Sequence, residues 1–146
     1  MNKYDSLKLE KQLCFPLYLV SKEIIRHYTP LLKKIDLTYT QYIVMLYLWE
    51  YGETNIKKLG SSLMLESNTL TPLLKKLEVK KYISRTKNKN DERNIDIKLT
   101  DLGEKLKDQA LDIPKNIGNC INLTSDEAII LYKLVYKVLS NIEGSK

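Results

Sequence analysis

Residues 67–99 read SNTLTPLLKKLEVKKYISRTKNKNDERNIDIKL, and a change of period inside this stretch decides the fold. In its first part Leu70, Leu73, Leu74 and Leu77 recur every three or four positions, the spacing of a helix that buries one side. From Tyr82 onward the period becomes two. YISRT and NIDIKL alternate apolar and polar residues as half-buried strands do. Between them KNKNDER is polar and charged, a composition suited to a hairpin tip. A helix followed directly by a two-stranded hairpin is therefore the expectation for this stretch.

Working toward the N-terminus, residues 64–66 read as a turn and Ile56 to Leu63 as a short helix. A longer helix opens at Thr38, where Gln41 three positions on completes a capping box, each side chain satisfying a free backbone N–H. It carries Ile43, Leu46, Leu48 and Trp49 and stops at Gly52. Residues 7–34 read as a first long helix, with a start or kink at Pro16 and an end near Pro30, because proline removes a hydrogen bond and crowds the preceding turn. Toward the C-terminus, Thr100 caps a helix that runs to about Ile113, ahead of Pro114. The segment NIGNCINLT, with Gly118 and its asparagines, reads as flexible. Thr124 and Glu127 form a second capping box before a last helix carrying Ile129, Ile130, Leu131, Leu134, Val135, Val138 and Leu139. The fold class expected is mainly α with a small β-hairpin wing: a winged helix-turn-helix at 37–99, flanked by dimerisation helices at 5–36 and 100–143, in one domain spanning 1–146.

Composition fits this reading. The chain has 146 residues, 43% hydrophobic and 29% charged, as ordinary globular domains have. No apolar run reaches the ~18 residues of a membrane span, and MNKYDSLKLEKQ lacks an apolar signal core, so a cytoplasmic location without membrane association is expected. The net charge is +6, and the positive residues gather between Lys75 and Lys98, which suggests a polyanion partner. The single histidine, His27, has no companion ligands at metal-binding spacing. No Gly-rich phosphate loop, hydrolase elbow or catalytic carboxylate pair occurs, so neither a metal, a cofactor nor enzymatic activity is expected.

Two groups of residues carry candidate chemistry. Ser67, Asn68, Thr69 and Thr71 open the 67–79 helix, with Lys75 and Lys76 further along; they serve either to cap the helix or to meet phosphates and base edges in a duplex. Arg85, Lys87, Asp91 and Arg93 on the hairpin extend that surface. Arg93 is suited to a narrow minor groove, with Asp91 orienting its guanidinium; alternatively the tip is a solvated turn. The second group is Cys14 and Cys120, in a compartment where a permanent structural disulfide is disfavoured. Each is either a packing or loop cysteine or a redox thiol. Ten tyrosines against one phenylalanine is an unusual bias, and Tyr18, Tyr42 and Tyr47 read as amphipathic packing.

SNTLTPLLKKLE, the DER at the hairpin tip and the following LTDLGEKL resemble the MarR family of winged-helix repressors. QLCFPLY and LTYTQYIVMLYLWE resemble its organic-hydroperoxide-resistance branch, the OhrR regulators, and the resemblance runs from Leu9 to Leu139. It implies that Cys14 is the peroxide-reactive thiol, that Tyr28 and Tyr39 donate hydrogen bonds to its sulfur, and that Cys120 resembles the resolving thiol of two-cysteine members. Helix geometry bears on this. Cys14 and Tyr28 share a face of a continuous helix but stand ~21 Å apart along its axis, so Tyr28 meets only the Cys14 of a partner whose first helix runs antiparallel. The sequence departs from the family pattern at Pro16, at Lys80 and Lys81 where a glycine is common and lysines suit the helix dipole or a phosphate contact, and at Asn94 where a basic residue is common.

The expected function is that of a homodimeric repressor of double-stranded operator DNA which lets go when an organic hydroperoxide oxidises Cys14. Its rivals are a repressor answering to a phenolic ligand, a thiol peroxidase and a protein-interaction module. Salt-dependent affinity for duplex DNA separates the repressors from the last two.

Overall fold

The computed structural model describes residues 2–144. The chain divides after Ile113 into two compact units. The first holds helices α1 (Cys14–Lys33), α2 (Tyr39–Tyr51), α3 (Ile56–Leu63), α4 (Ser67–Val79) and α5 (Asp101–Ala110), with strands β1 (Thr54–Asn55), β2 (Ile83–Lys87) and β3 (Ile95–Leu99). Beyond the division lie most of α6 (Ile113–Ile121) and all of α7 (Ser125–Gly144).

A winged helix-turn-helix is present, formed by α2, α3, α4 and the three-stranded sheet. Its core is where the helical period put it: Leu70, Leu73, Leu74 and Leu77 of α4 are buried, together with Val44, Met45 and Leu48 of α2 and Leu59 of α3. Met64 closes α3 in the left-handed region (φ 55°), and Leu65 N–H donates to Gly60 O at 2.9 Å, which turns the chain into α4. The sheet is antiparallel in the order β1-β3-β2, with Ile83 opposite Leu99 and Arg85 opposite Ile97. Both capping boxes form. Gln41 N–H donates to Thr38 Oγ1 and Thr38 N–H to Gln41 Oε1, while Thr124 and Glu127 repeat the exchange at 3.2 and 2.9 Å. Thr100 caps α5 through Gly103 N–H at 3.1 Å. Gly103 also lets α5 close on the sheet, since a Cβ there would collide with the Tyr82 carbonyl oxygen.

Four local expectations need correction. The first long helix begins at Cys14 rather than residue 7, and two short 3-10 turns, Asp5–Leu7 and Leu9–Lys11, precede it. Pro16 sits in its first turn, where no intrahelical donor is needed, so it starts the helix without bending it. Pro30 lies inside α1, which continues to Lys33. The helix expected from Thr100 to Ile113 ends at Ala110, and Pro114 falls in the first turn of a separate α6. The NIGNC segment is accordingly helical rather than flexible: Ile113, Ile117 and Ile121 recur at four-residue spacing, and the first two are buried. The third strand, β1, was not expected.

Two helices are left with uncovered apolar faces. On α1, Leu17, Leu19, Val20 and Ile25 are exposed; on α7, Ile130, Leu134, Val135 and Val138 are exposed. Apolar surface on this scale is the mark of an interaction face.

Candidate functional site

The first site is a basic surface built by α4 and the β2–β3 hairpin. Ser67, Asn68 and Thr69 stand exposed at the N-terminus of α4, whose N-cap, Glu66, makes no side-chain cap bond. Thr69 and Leu70 N–H donate to Glu66 O at 3.0 and 2.9 Å, and the positive end of the helix dipole lies at this start, a setting that favours phosphate. Lys75 and Lys76 are exposed further along, and Thr71 is half-buried. The hairpin tip is held by its own side chains: Asn88 Oδ1 accepts from Asn90 N–H at 2.9 Å and Asp91 N–H at 3.1 Å. Asp91 Oδ1 accepts Arg93 N–H at 3.0 Å and lies 3.7 Å from Arg93 Nε, while the Arg93 side chain stays 96% exposed. Asp91 thus steadies the base of Arg93 and leaves its guanidinium in solvent. Asp91, Arg93 and Asn94 border, with Lys57, Ser61 and Ser67, an open cleft of about 540 Å³. The structure so brings the start of α4 and the hairpin tip onto one concave face. Lys87 and Lys89 remain exposed along the hairpin.

Arg85 does not belong to that surface. The two-residue period puts it on the same face as buried Ile83, where its Nη2 meets Glu78 Oε1 of α4 at 3.1 Å and only 19% of the side chain is exposed. Lys80, read from sequence as a dipole or phosphate lysine, is also engaged. Its Nζ donates to Asp36 O at 2.6 Å and to Gln41 Oε1 at 3.0 Å.

The second site is a cluster of tyrosines between α1 and α2. Tyr28 and Tyr39 have ring centroids 4.9 Å apart and planes tilted by 52°. The rings come from two helices, and the capping box around Tyr39 fixes where α2 begins. Burial raises both phenols above their usual range, and for Tyr28 the neighbouring Tyr39 adds to this. Both therefore remain protonated hydroxyls, able to donate, at neutral pH. Tyr42 completes the cluster at 5.7 Å from Tyr28 and 6.5 Å from Tyr39. Sequence reading set it aside as packing; its place three residues after Tyr39, one turn along the same face, was the available signal.

Cys14 is exposed as the first residue of α1. Since α1 is unbroken from Cys14 to Lys33, the ~21 Å of helical rise holds within the chain, and Cys14 is not brought to Tyr28 of its own chain. Cys120 is exposed in the last turn of α6, in the second unit. His27 is exposed. Among the described residues no helix is long and apolar enough to cross a membrane.

Comparison with known proteins places this architecture. The family described as "Transcriptional regulator SarA/Rot" matches residues 26–110. The organic hydroperoxide resistance transcriptional regulator of Bacillus subtilis is 42% identical over 141 residues, covering 97% of this chain and 96% of that protein. The HTH-type transcriptional regulator SarZ of Staphylococcus saprophyticus is 51% identical over 123 residues, covering 84% of each. Among solved structures, overoxidized AbfR bound to DNA matches with a TM-score of 0.77 at 33% identity, covering 97% of this chain and 99% of that one. AbfR is a protein of Staphylococcus epidermidis. Its reduced form bound to DNA scores 0.76, and its disulfide form 0.66. These relatives are DNA-binding regulators rather than enzymes. With α4, the hairpin and the three-stranded sheet assembled as described, the chain belongs to the SarA/Rot family of winged-helix transcriptional regulators.

Proposed function

We propose that this protein is a MarR-type repressor of the OhrR branch, a homodimer that binds operator DNA and releases it when an organic hydroperoxide oxidises Cys14. The observation that carries the reading is a separation. A ready pair of tyrosine hydroxyl donors lies at Tyr28 and Tyr39, and the exposed Cys14 stands ~21 Å away along the same helix. An antiparallel α1 pair across a two-fold axis brings each Cys14 to the partner's tyrosines, and the exposed apolar faces of α1 and α7 supply the surface for such a dimer. Ser67, Asn68, Thr69, Thr71, Lys75 and Lys76 then read the major groove, with Lys87, Asp91 and Arg93 on the wing.

In this mechanism tyrosine hydrogen bonds favour the thiolate of Cys14. Its sulfur attacks the terminal oxygen of the hydroperoxide and the O–O bond breaks. The alkoxide leaves as alcohol after taking up a proton, and Cys14 becomes a sulfenic acid. The thiol of Cys120 on the partner subunit then attacks the sulfenic sulfur, forming a disulfide and releasing water. The relatives support the reading: one is named for organic hydroperoxide resistance, and AbfR has reduced, overoxidized and disulfide forms.

The test is operator binding before and after one equivalent of cumene hydroperoxide for wild type, Cys14→Ser and Cys120→Ser. Release by wild type but not by Cys14→Ser supports the sensor. Equal binding by oxidised and reduced wild type rejects it. A groove of about 400 Å³ between α2 and α5, bordered by Tyr42, Leu46, Trp49 and Leu111, favours one second reading, a phenolic effector. That reading requires Cys14→Ser to release DNA on addition of a phenol.

A further inference from the structure

We propose that Tyr42 is a positioning residue of the thiol sensor: its ring fixes Tyr28 and Tyr39 at the angle from which both hydroxyls reach one sulfur. The inference rests on the Cys14–tyrosine reading above and adds a residue to it.

Tyr42 is 2% exposed, whereas Tyr28 and Tyr39 are only half-buried. The buried ring therefore serves as a floor for two rings that remain accessible to an incoming thiol. Its contacts are with the sensor tyrosines themselves, at 5.7 Å and 45° to Tyr28 and 6.5 Å and 49° to Tyr39. Tilted rings at such distances have a preferred geometry, because the edge of one meets the electron-rich face of the next. An aliphatic side chain fills volume without that directional preference.

The arrangement around Tyr28 makes the case sharper. Tyr28 stands on α1, while Tyr39 and Tyr42 both stand on α2. Tyr39 is placed by the Thr38–Gln41 capping box at the helix start. Tyr28 lies within α1, away from either end of that helix, and its ring packs against the other two. A donor whose rotamer is already set loses little conformational entropy when the thiolate arrives, so it stabilises the charged sulfur more than a free donor does. Removing the floor leaves both hydroxyls in place chemically but lets the Tyr28 and Tyr39 rings drift.

The test uses the full-length Cys120→Ser protein, in which Cys14 is the only thiol. The pH dependence of Cys14 alkylation by iodoacetamide and the rate of oxidation by cumene hydroperoxide are measured for Tyr42→Leu and Tyr42→Phe, with Tyr28→Phe and Tyr39→Phe as references. The expected result is that Tyr42→Leu moves the half-reaction point up by about one pH unit and slows oxidation about tenfold. Affinity of the reduced protein for operator DNA stays within about twofold of wild type. Tyr42→Phe, which keeps the ring, restores the profile. A purely structural role would lower stability without moving the alkylation profile. An unmoved Tyr42→Leu profile beside shifted Tyr28→Phe and Tyr39→Phe profiles overturns the positioning role and leaves the sensor standing. If the two reference variants are also unmoved, the sensor reading falls and the role of Tyr42 with it. Should Tyr42→Leu not fold, Tyr42→Met, whose unbranched flexible chain adapts to the space, takes its place in the same measurement.

Discussion

Lys80 Nζ stands 3.0 Å from Gln41 Oε1, so the C-cap of α4 is tied to the capping box that starts α2. Gln41 is 3% exposed, and its Oε1 also accepts from Thr38 N–H. The Lys80 ammonium reaches Asp36 O at 2.6 Å as well, and Tyr82 OH donates to Ile35 O at 3.4 Å just beyond it. The C-terminal end of α4 is thereby fastened to the corner between α1 and α2, next to Tyr39. The orientation of α4 is set at both of its ends: by the turn after α3 and by this fastening.

Lys80 and Lys75 are accordingly expected to act in opposite ways. Lys80→Met removes the hydrogen bonds of a side chain that is 24% exposed and lowers stability by about 1–2 kcal/mol. It leaves the salt dependence of DNA binding unchanged, because Lys80 neutralises no phosphate. Lys75→Met leaves the melting temperature alone and reduces the salt slope of DNA binding by about one. Melting curves and operator titrations at several salt concentrations check both. A reduced slope for Lys80→Met would return that residue to the DNA surface.

The two wing arginines divide in the same manner. Arg93→Ala removes an exposed guanidinium at the hairpin tip, so operator affinity falls by about 1–3 kcal/mol with no change in melting. Arg85→Ala removes the partner of Glu78; because Glu78 is itself 40% exposed, solvent screens the loss and the cost to stability is about 0.2–1 kcal/mol. Unfolding in urea alongside operator titration separates the two effects. Equal loss of DNA affinity without loss of stability for Arg85→Ala would contradict the placement of its side chain.

Lys81 follows the C-cap of α4 with φ 66°, a conformation that costs a residue with a Cβ. Its carbonyl accepts from Thr100 Oγ1 at 2.5 Å, and the neighbouring Tyr82 carbonyl accepts Thr100 N–H, so the backbone is held there by α5's cap. Lys81→Gly relieves the strain while adding some freedom to the unfolded chain. The net expectation is a gain of about 0.5–1 kcal/mol, read as a higher melting temperature. A lowered melting temperature would mean that the lysine side chain contributes more than the strain removes.

These residues also mark how far the sequence could be read. The leucines of α4, the alternation of YISRT and NIDIKL, and the Thr38, Thr100 and Thr124 caps are local signals, and each produced its element in place. What escaped depended on partners distant in sequence. Lys80 and Arg85 looked like free cations because nothing nearby in the chain names Gln41 or fixes the Glu78 contact. Tyr42 looked like packing until α1 placed Tyr28 against it. β1 has two residues, too short to show a period. At NIGNC, Gly118 and the asparagines outweighed the i, i+4 spacing of Ile113, Ile117 and Ile121, although burial of the first two decides for the helix.

Alkaline pH supplies a test of the tyrosine cluster that needs no ligand. Burial, with Tyr28 and Tyr39 alongside, pushes Tyr42 up to about 12 from 10.0, while in the unfolded chain it returns to the ordinary value. The folded state therefore holds a proton that the unfolded state releases between those pH values, and stability must fall as pH rises through that window. The stabilisation is fully present below pH ~10, and about 2–3 kcal/mol is lost by pH ~12 on this account alone. Tyr28 and Tyr39, also raised, add in the same direction. Urea unfolding at pH 8, 10 and 11 should show the decline for wild type. Tyr42→Phe, which has no proton to lose, should flatten the part due to Tyr42. Parallel declines for wild type and Tyr42→Phe would show that Tyr42 titrates as freely in the folded protein as in the unfolded one, and would remove the buried floor from beneath the sensor pair.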